Sequence, residues 1–326
     1  MSKVCNIETK LTLIIPGKNK DVRKTEKVDR AIKITSMGIS YLLLTLMALL
    51  VLVPFYYMIA ASCMTYDDVN SGKFFVENYV NNGNIFTNIA ENYSQTLSNG
   101  SFNYFQLVGN TLIVGLCTTC GGLIITILSA YAFARLKFRG RDVLFTCFLA
   151  TMMIPGEMMV ITNYTTMSNM GLIGLDQNAI QAYLAMILPF LSSVFYIYLL
   201  RQNFKQIPNE LYLAAKVDGK SDWSYLWKVM VPLASPTLIT IFILSLIGSW
   251  NAYVWPKLVV SNSDYNLISV ALRSAAFQFE VQTDVYQDMP NWQMAATVLT
   301  VVPLLILFII FRKYIMRGVG RAGIKG

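Results

Sequence analysis

Ile207-Pro208-Asn209-Glu210-Leu211-Tyr212-Leu213-Ala214-Ala215-Lys216-Val217-Asp218-Gly219-Lys220-Ser221-Asp222-Trp223-Ser224-Tyr225-Leu226-Trp227-Lys228-Val229-Met230-Val231-Pro232 is the stretch on which the reading of this chain turns. Pro208 suits the first turn of a helix, and Gly219 suits a left-handed C-terminal cap. Ser221 or Asp222 can then cap a second helix. Trp223, Leu226, Trp227 and Met230 recur at spacings of three and four, an apolar stripe along that second helix. The pattern predicts two helices joined by a tight turn. Ala214, Ala215 and Gly219 are small enough for another protein's surface to approach the backbone closely. Gly219-Lys220-Ser221 looks like the end of a phosphate-binding loop, but the first glycine of that pattern falls on Ala214. The segment before it reads as helix where a strand is required, so ATP binding on this chain is excluded.

Around this loop the sequence is that of a membrane protein. It is 326 residues long, 55% hydrophobic and only 13% charged, about half the charged fraction of a soluble domain. Six stretches are long and apolar enough to cross a bilayer core: 37–62, 105–134, 143–164, 181–200, 232–256 and 292–311. Pro189 and Pro303 fall inside the fourth and sixth, where a membrane helix can tolerate them. Ala60-Ala61-Ser62-Cys63 weakly resembles a lipoprotein cleavage site. The apolar run before it is too long for a signal peptide, and five more spans follow. The expected fold is all-α and polytopic, with six transmembrane helices. Its parts are an N-terminal arm at 1–36, a first span at 37–62, an outer loop at 63–104, a core at 105–311 and a tail at 312–326. The core includes the loop at 201–231 and a second outer loop at 257–291.

Basic residues set the orientation. Nine lie in the arm, four between Arg135 and Arg141, five in the 201–231 loop and five after Phe311, so 23 of the 26 Lys and Arg share one side. Lys73, Lys257 and Arg273 are on the other. Both termini are therefore expected in the cytoplasm, with membrane lipid around the spans. The net charge of +8 marks topology and calls for no nucleic acid. The arm, polar and of mixed charge, is expected to be flexible, and the outer loops to be either solvated connectors or a docking rim. The absence of His removes the commonest general base and zinc ligand. Cys117 and Cys120 have CxxC spacing inside an apolar run with no second pair, so they read as small packing residues. No metal or cofactor is expected on this chain.

Two groups carry a possible transport path. Glu157 is an ionisable side chain inside a span, beside the Pro155-Gly156 break, and intramembrane acids are functional by default. Trp250, Asn251 and Tyr253 offer the aromatic faces and amide that sugars use, although the two rings serve equally well as packing or belt aromatics. A secondary transporter would show more intramembrane charge and an internal repeat. A membrane enzyme would need a polar catalytic cluster that this sequence lacks.

The loop resembles the mark of integral membrane subunits of binding-protein-dependent ABC importers: EAA, three residues, Gly, nine residues, then I-x-L-P. Here Ala214-Ala215, Gly219 and Val229-Met230-Val231-Pro232 keep that spacing without a gap. The text around it is similar to the second permease of maltose and multiple-sugar systems. So are Met153-Ile154-Pro155-Gly156-Glu157, Trp250-Asn251-Ala252-Tyr253 and the ending Gly320-Arg321-Ala322-Gly323-Ile324-Lys325-Gly326. The resemblance implies a non-enzymatic permease subunit of a type I ABC importer in the bacterial cytoplasmic membrane. Its expected partners are a homologous second permease, a dimeric cytoplasmic ATPase carrying the ATP and Mg, and an extracellular solute-binding protein. It implies that Glu210, Leu213, Ala214, Ala215, Asp218, Gly219 and Pro232 couple to the ATPase, and that Gly323, Lys325 and Gly326 make a tail contact. The chain departs from the pattern where the motif Glu falls on Leu213, and Glu210, one turn earlier, can stand in for it.

Overall fold

Proline and glycine decide where the helices of this chain turn. The computed structural model describes residues 18–76, 85–275, 277–282 and 285–320. The chain divides into two units, Met1–Met58 and Ile59–Gly326. The described part of the first is helix α1, Lys18–Ser62, which runs on into the second unit. Helix thus begins at Lys18, inside the arm expected to be flexible.

In the second unit α2 (Tyr66–Asn70) and α3 (Ile85–Ser98) precede the straight 32-residue span α4, Tyr104–Arg135. The next predicted span is not one helix. It runs as α5 (Arg141–Ala150) and α6 (Val160–Asn169), joined by short 3-10 turns and bent by 92°. The cause is local: a residue before proline is pushed out of the helical region, and Ile154 sits at φ −85°, ψ 117° ahead of Pro155. Pro189 acts similarly between α7 (Ala179–Ile187) and α8 (Val194–Gln206), which meet at 52°. There Ser193 restarts the helix by accepting a hydrogen bond from the Tyr196 amide at 3.4 Å. A third bend, of 78° at Ala234 between Pro232 and Pro236, separates the helical stretch that ends at Leu233 from the Ser235–Trp250 helix of the fifth span. Of the two prolines expected to be tolerated, Pro303 stays within a helix and Pro189 breaks one.

After the α7–α8 break the chain forms α9 (Asn209–Val217), α10 (Asp222–Tyr225), a π turn over Leu226–Met230, α11 (Val231–Leu233) and α12 (Ser235–Trp250). Short helices α13 (Val254–Val259) and α14 (Ile268–Ser274) follow. An antiparallel hairpin, β1 (Gln278–Gln282) and β2 (Val285–Asp288), is the small exception to the helical fold. The chain then enters α15, Pro290–Gly320.

α4 is the axis of the packing, with α8 and α12 along its length. Gly121 and Gly122 seat the α7–α8 break: a Cβ on Gly121 would lie 2.7 Å from Leu191 Cδ2, and one on Gly122 3.2 Å from the Leu191 carbonyl oxygen. Cys117 and Cys120 lie on the same helix but are exposed, so within this chain they do not pack as the sequence suggested. Described parts of the segments at 63–104 and 257–291 are folded onto the spans. Asn92 donates to the Ser62 and Met64 carbonyls, each at 2.9 Å, and accepts from Asn291 at 2.8 Å. Asn110 donates to the carbonyls of Asp264 (2.8 Å) and Asn266 (3.0 Å) and accepts from Tyr183 at 2.7 Å. Buried amides have found partners here, and the loops are packed caps rather than free connectors.

Candidate coupling loop

The loop anticipated from sequence is built by its own capping residues. Lys220 N–H donates to the Ala215 carbonyl at 2.9 Å and Gly219 N–H to that of Lys216 at 3.0 Å. These are the paired bonds of a Schellman motif, which needs a left-handed residue after the helix. Gly219 supplies it at φ +70°. Asp218 is the residue that ends α9. Two residues on, Ser221 caps α10 by accepting from the Ser224 amide at 3.2 Å. Pro208 precedes the helix as its N-cap instead of entering the first turn. The expected second helix is not uniform. It widens into the π turn ahead of Pro232, whose ring would crowd the carbonyl four residues back in a regular helix.

Side chains then fix the loop to the spans. The Asp222 carboxylate accepts from Tyr212 on α9 at 3.0 Å and from Tyr131 on α4 at 3.2 Å, and it pairs with Lys216 Nζ at 3.2 Å. Burial opposes its charge, but the hydrogen bonds from Tyr212 and Lys216 outweigh it and hold the carboxyl below the usual aspartate range. Bonding to Asp222 in turn raises the Lys216 ammonium. At the end of α4, Arg135 donates to the Phe204 carbonyl at 3.0 Å, to that of Ile207, and to Asn209 Oδ1 at 3.4 Å. One guanidinium thereby ties α4 to both ends of the turn between α8 and α9. Arg201 is buried, donates to the Phe133 carbonyl at 3.1 Å and lies 3.7 Å over the Phe145 ring. Tyr131 and Tyr212 were not singled out by sequence, Asp222 was read only as an alternative cap and Arg135 only as a charge that sets orientation. Their partners are up to 91 positions apart, and only the fold brings them together.

What remains outward is a mixed apolar and small surface. Leu213 is 56% exposed, Val217 89% and Trp223 62%, with Glu210, Ala214, Asp218, Gly219 and Pro232 also exposed. Ala215 is not part of it. It is buried against Tyr131, Phe204, Tyr225 and Met230, so its small size serves packing inside the chain rather than the approach of another protein.

The candidate path residues do not converge. Glu157 is exposed on the 3-10 turn after the Pro155 corner. Trp250 is 2% exposed within a cluster that includes Phe102, Ile268, Phe277 and Trp292, a packing position. Asn251 is exposed where α12 ends and donates to the Ile247 carbonyl at 3.0 Å. Tyr253 accepts from Lys257 Nζ at 3.0 Å, and the Arg273 guanidinium stands 4.3 Å over its ring. From this stretch only Ala252 reaches a cavity between α4, α8 and α12. Gly323, Lys325 and Gly326 lie outside the described residues.

Comparison with known proteins agrees with this architecture. Residues 122–321 match the model of the binding-protein-dependent transport system inner membrane component. The chain is similar to the sn-glycerol-3-phosphate transport system permease protein UgpE of Brucella abortus, 26% identical over 287 residues that cover 86% of this chain and 94% of the relative. It is also similar to the arabinooligosaccharides transport system permease protein AraQ of Halalkalibacterium halodurans, 29% identical over 67% of this chain and 73% of that one. Among solved structures, a chain of a bacterial ABC transporter involved in import of the acidic polysaccharide alginate aligns with a TM-score of 0.72 at 26% identity. That alignment covers 88% of this chain and 97% of its match. A second chain, from the bacterial alginate ABC transporter in complex with an alginate pentasaccharide-bound periplasmic protein, shares the fold alone, with a TM-score of 0.54 at 15% identity, 88% of this chain and 97% of that one covered. With its bent helices, capped helical loop and a family match over most of its length, the chain belongs to the membrane-embedded, binding-protein-dependent transport system inner membrane components.

Proposed function

We propose that this chain is one half of the membrane pore of an ATP-driven importer, paired with a homologous permease, and that its cargo is an oligosaccharide. The observation that carries the reading is the loop at 207–232: a capped helical turn, bonded to α4 through Asp222 and Arg135, that leaves Leu213, Ala214 and Gly219 exposed. A stiff projection with a small, apolar face can take a push from another protein and pass it to the spans. Two cytoplasmic ATPase subunits holding ATP and Mg would supply that push, with Glu210, Asp218 and Pro232 in the same contact and Gly323, Lys325 and Gly326 in a tail contact. This chain contributes no catalytic residue and is not an enzyme.

Under this reading both termini are cytoplasmic and the segments at 63–104 and 257–291 meet an extracellular solute-binding protein. The oligosaccharide assignment is supported by the permease for arabinooligosaccharides and the alginate importer among the similar proteins. Glu157, Asn251 and Tyr253 remain the proposed path residues from the sequence. The test is Gly219→Asp in the reconstituted complex. A Cβ there meets nothing within 4 Å, so the variant should assemble. Its φ of +70° and the close approach of a partner both disfavour a charged side chain. ATP-driven uptake is expected to fall to background with the complex intact. Normal uptake would remove the loop from coupling.

A further inference from the structure

Where α4 gives way to α5, residues 137–143 curve around an open hollow of about 710 Å³. Lys137, Arg139 and Arg141 line it, and Asp142 is the acid among them. Two further cations stand beside this turn on α8. Arg201 is only 5% exposed, yet its bonding is incomplete: Nε donates to the Phe133 carbonyl, and neither terminal nitrogen makes a hydrogen bond among the described residues. The carboxylate within ion-pair reach is Asp142, whose Oδ1 lies 3.6 Å from Arg201 Nη2. That carboxylate already accepts from Arg141 at 3.2 and 3.3 Å, and its side chain is 71% exposed. Lys205 is the second cation. Loss of solvation, Arg201 and Arg141 push its ammonium down, against the pull of Asp142.

Five cations thus share one carboxylate. A buried guanidinium is costly unless paired, and a carboxylate that is exposed and shared is a weak counter-charge. Sidedness alone does not ask for this arrangement. A count of Lys and Arg near the span ends sets orientation whether or not they converge. Burying Arg201 against the turn adds cost without adding to the count.

The apolar neighbours show which anion fits. Val143 is 69% and Leu144 56% exposed at the start of α5, and Phe138 is 42% exposed within the turn. Cations at the end of a span, with bare apolar side chains on the helix that follows, suit a molecule with a phosphate at one end and hydrocarbon at the other. A soluble anion would leave the apolar side chains uncovered. Basic pockets at the cytoplasmic ends of spans take anionic lipid headgroups by this chemistry. We propose that the turn at 137–143, together with Arg201 and Lys205, is a headgroup site for an anionic phospholipid. The lipid phosphodiester supplies the counter-charge that Asp142 gives only in part, and the acyl chains lie along Val143 and Leu144. The proposal goes beyond the import reading and needs from it only a membrane.

The test uses the full chain in its complex with the companion permease and ATPase subunits, delipidated in a neutral detergent. The complex is titrated with dioleoylphosphatidylglycerol, dioleoylphosphatidylcholine or inorganic phosphate, and bound molecules and subunits are counted by native mass spectrometry. Phosphatidylglycerol should bind in preference to phosphatidylcholine and to phosphate. Lys137→Gln with Arg139→Gln, both exposed positions, should assemble and weaken that binding about thirty-fold, the worth of two cations near a lipid surface. Arg312→Gln with Lys313→Gln removes the same charge elsewhere and should leave it unchanged. Asp142→Asn frees Arg141 and Arg201 and should tighten it. Equal binding of the two lipids, equal weakening in both double variants, or weaker binding in Asp142→Asn overturns the site. Phosphate binding as tight as the lipid makes the ligand a free anion and overturns it too. Loss of ATPase subunits from the Lys137 and Arg139 variant, with lipid binding intact, assigns the patch to a protein contact instead. None of these outcomes touches the import reading, because uptake is not the readout.

Discussion

At the scale of single residues, neighbouring side chains of the loop at 207–232 divide into exposed and buried ones. Leu213 replaces the acid of the importer motif and is exposed, whereas neighbouring Ala215 is buried in the core. Asp222 joins three elements through Tyr131, Tyr212 and Lys216. Asp222→Ala should loosen the loop by about 1 kcal/mol, the net worth of its bonds discounted for exposure. Faster hydrogen exchange at amides 209–224, with reduced uptake per assembled complex, would register it. Because the Asp222 carboxyl is held below its usual range, its contribution is present above the unfolded carboxylate value of about 3.9 and is lost as pH falls through the lower folded value. Protection of these amides, taken relative to their intrinsic exchange rate at each pH, should hold at neutral pH and fall only below about pH 4. Glu157 is a separate case. If it lines the path, Glu157→Gln preserves assembly and alters rate or sugar preference; unchanged uptake for every sugar tested would end that role.

Elements show what sequence can and cannot give. The helical turn at 207–232 was legible because Pro208, Gly219 and Ser221 act locally, each setting the backbone within a residue or two. The breaks were not legible in the same way. Pro189 and Pro303 look alike in sequence, yet one ends a helix and the other is carried inside one. The difference lies in the neighbour: Gly121 and Gly122 on α4 give the first a seat, some 68 positions away in the chain. Trp250 and Tyr253 were attractive path candidates by residue type, but burial in one case and Lys257 and Arg273 in the other could be known only from the fold. The 92° corner at Pro155 can be tested directly. Pro155→Ala relieves the constraint on Ile154, and the distance between spin labels at Cys147 and Ser168 should lengthen as α5 and α6 straighten. An unchanged distance would assign the corner to tertiary contacts.

For the whole molecule, the sequence shows six spans, and the described residues of the structure hold three helices long and apolar enough to cross a membrane and three bent pairs, the last of which joins the loop at 207–232 to the fifth span. Charge distribution then predicts sidedness. In a cysteine-free background of intact cells, Asn99→Cys should react with an impermeant thiol reagent, and Lys220→Cys and Gly326→Cys should react only after permeabilisation. Reaction of either of the latter two in sealed cells would reverse the assignment.

The corner at Pro155 also bears on how the protein is made. Residues 151–159 are exposed in the single chain, with Met153 at 84%, while their backbone departs from regular helix. Lipid cannot satisfy such backbone, which persists at membrane depth only against protein or water. Under the proposed pairing with a second permease, a newly inserted copy carries an unfinished surface until that companion arrives. Synthesised alone, it should be a short-lived orphan cleared by membrane proteases, and co-synthesis of the companion should lengthen its lifetime before any sugar is carried.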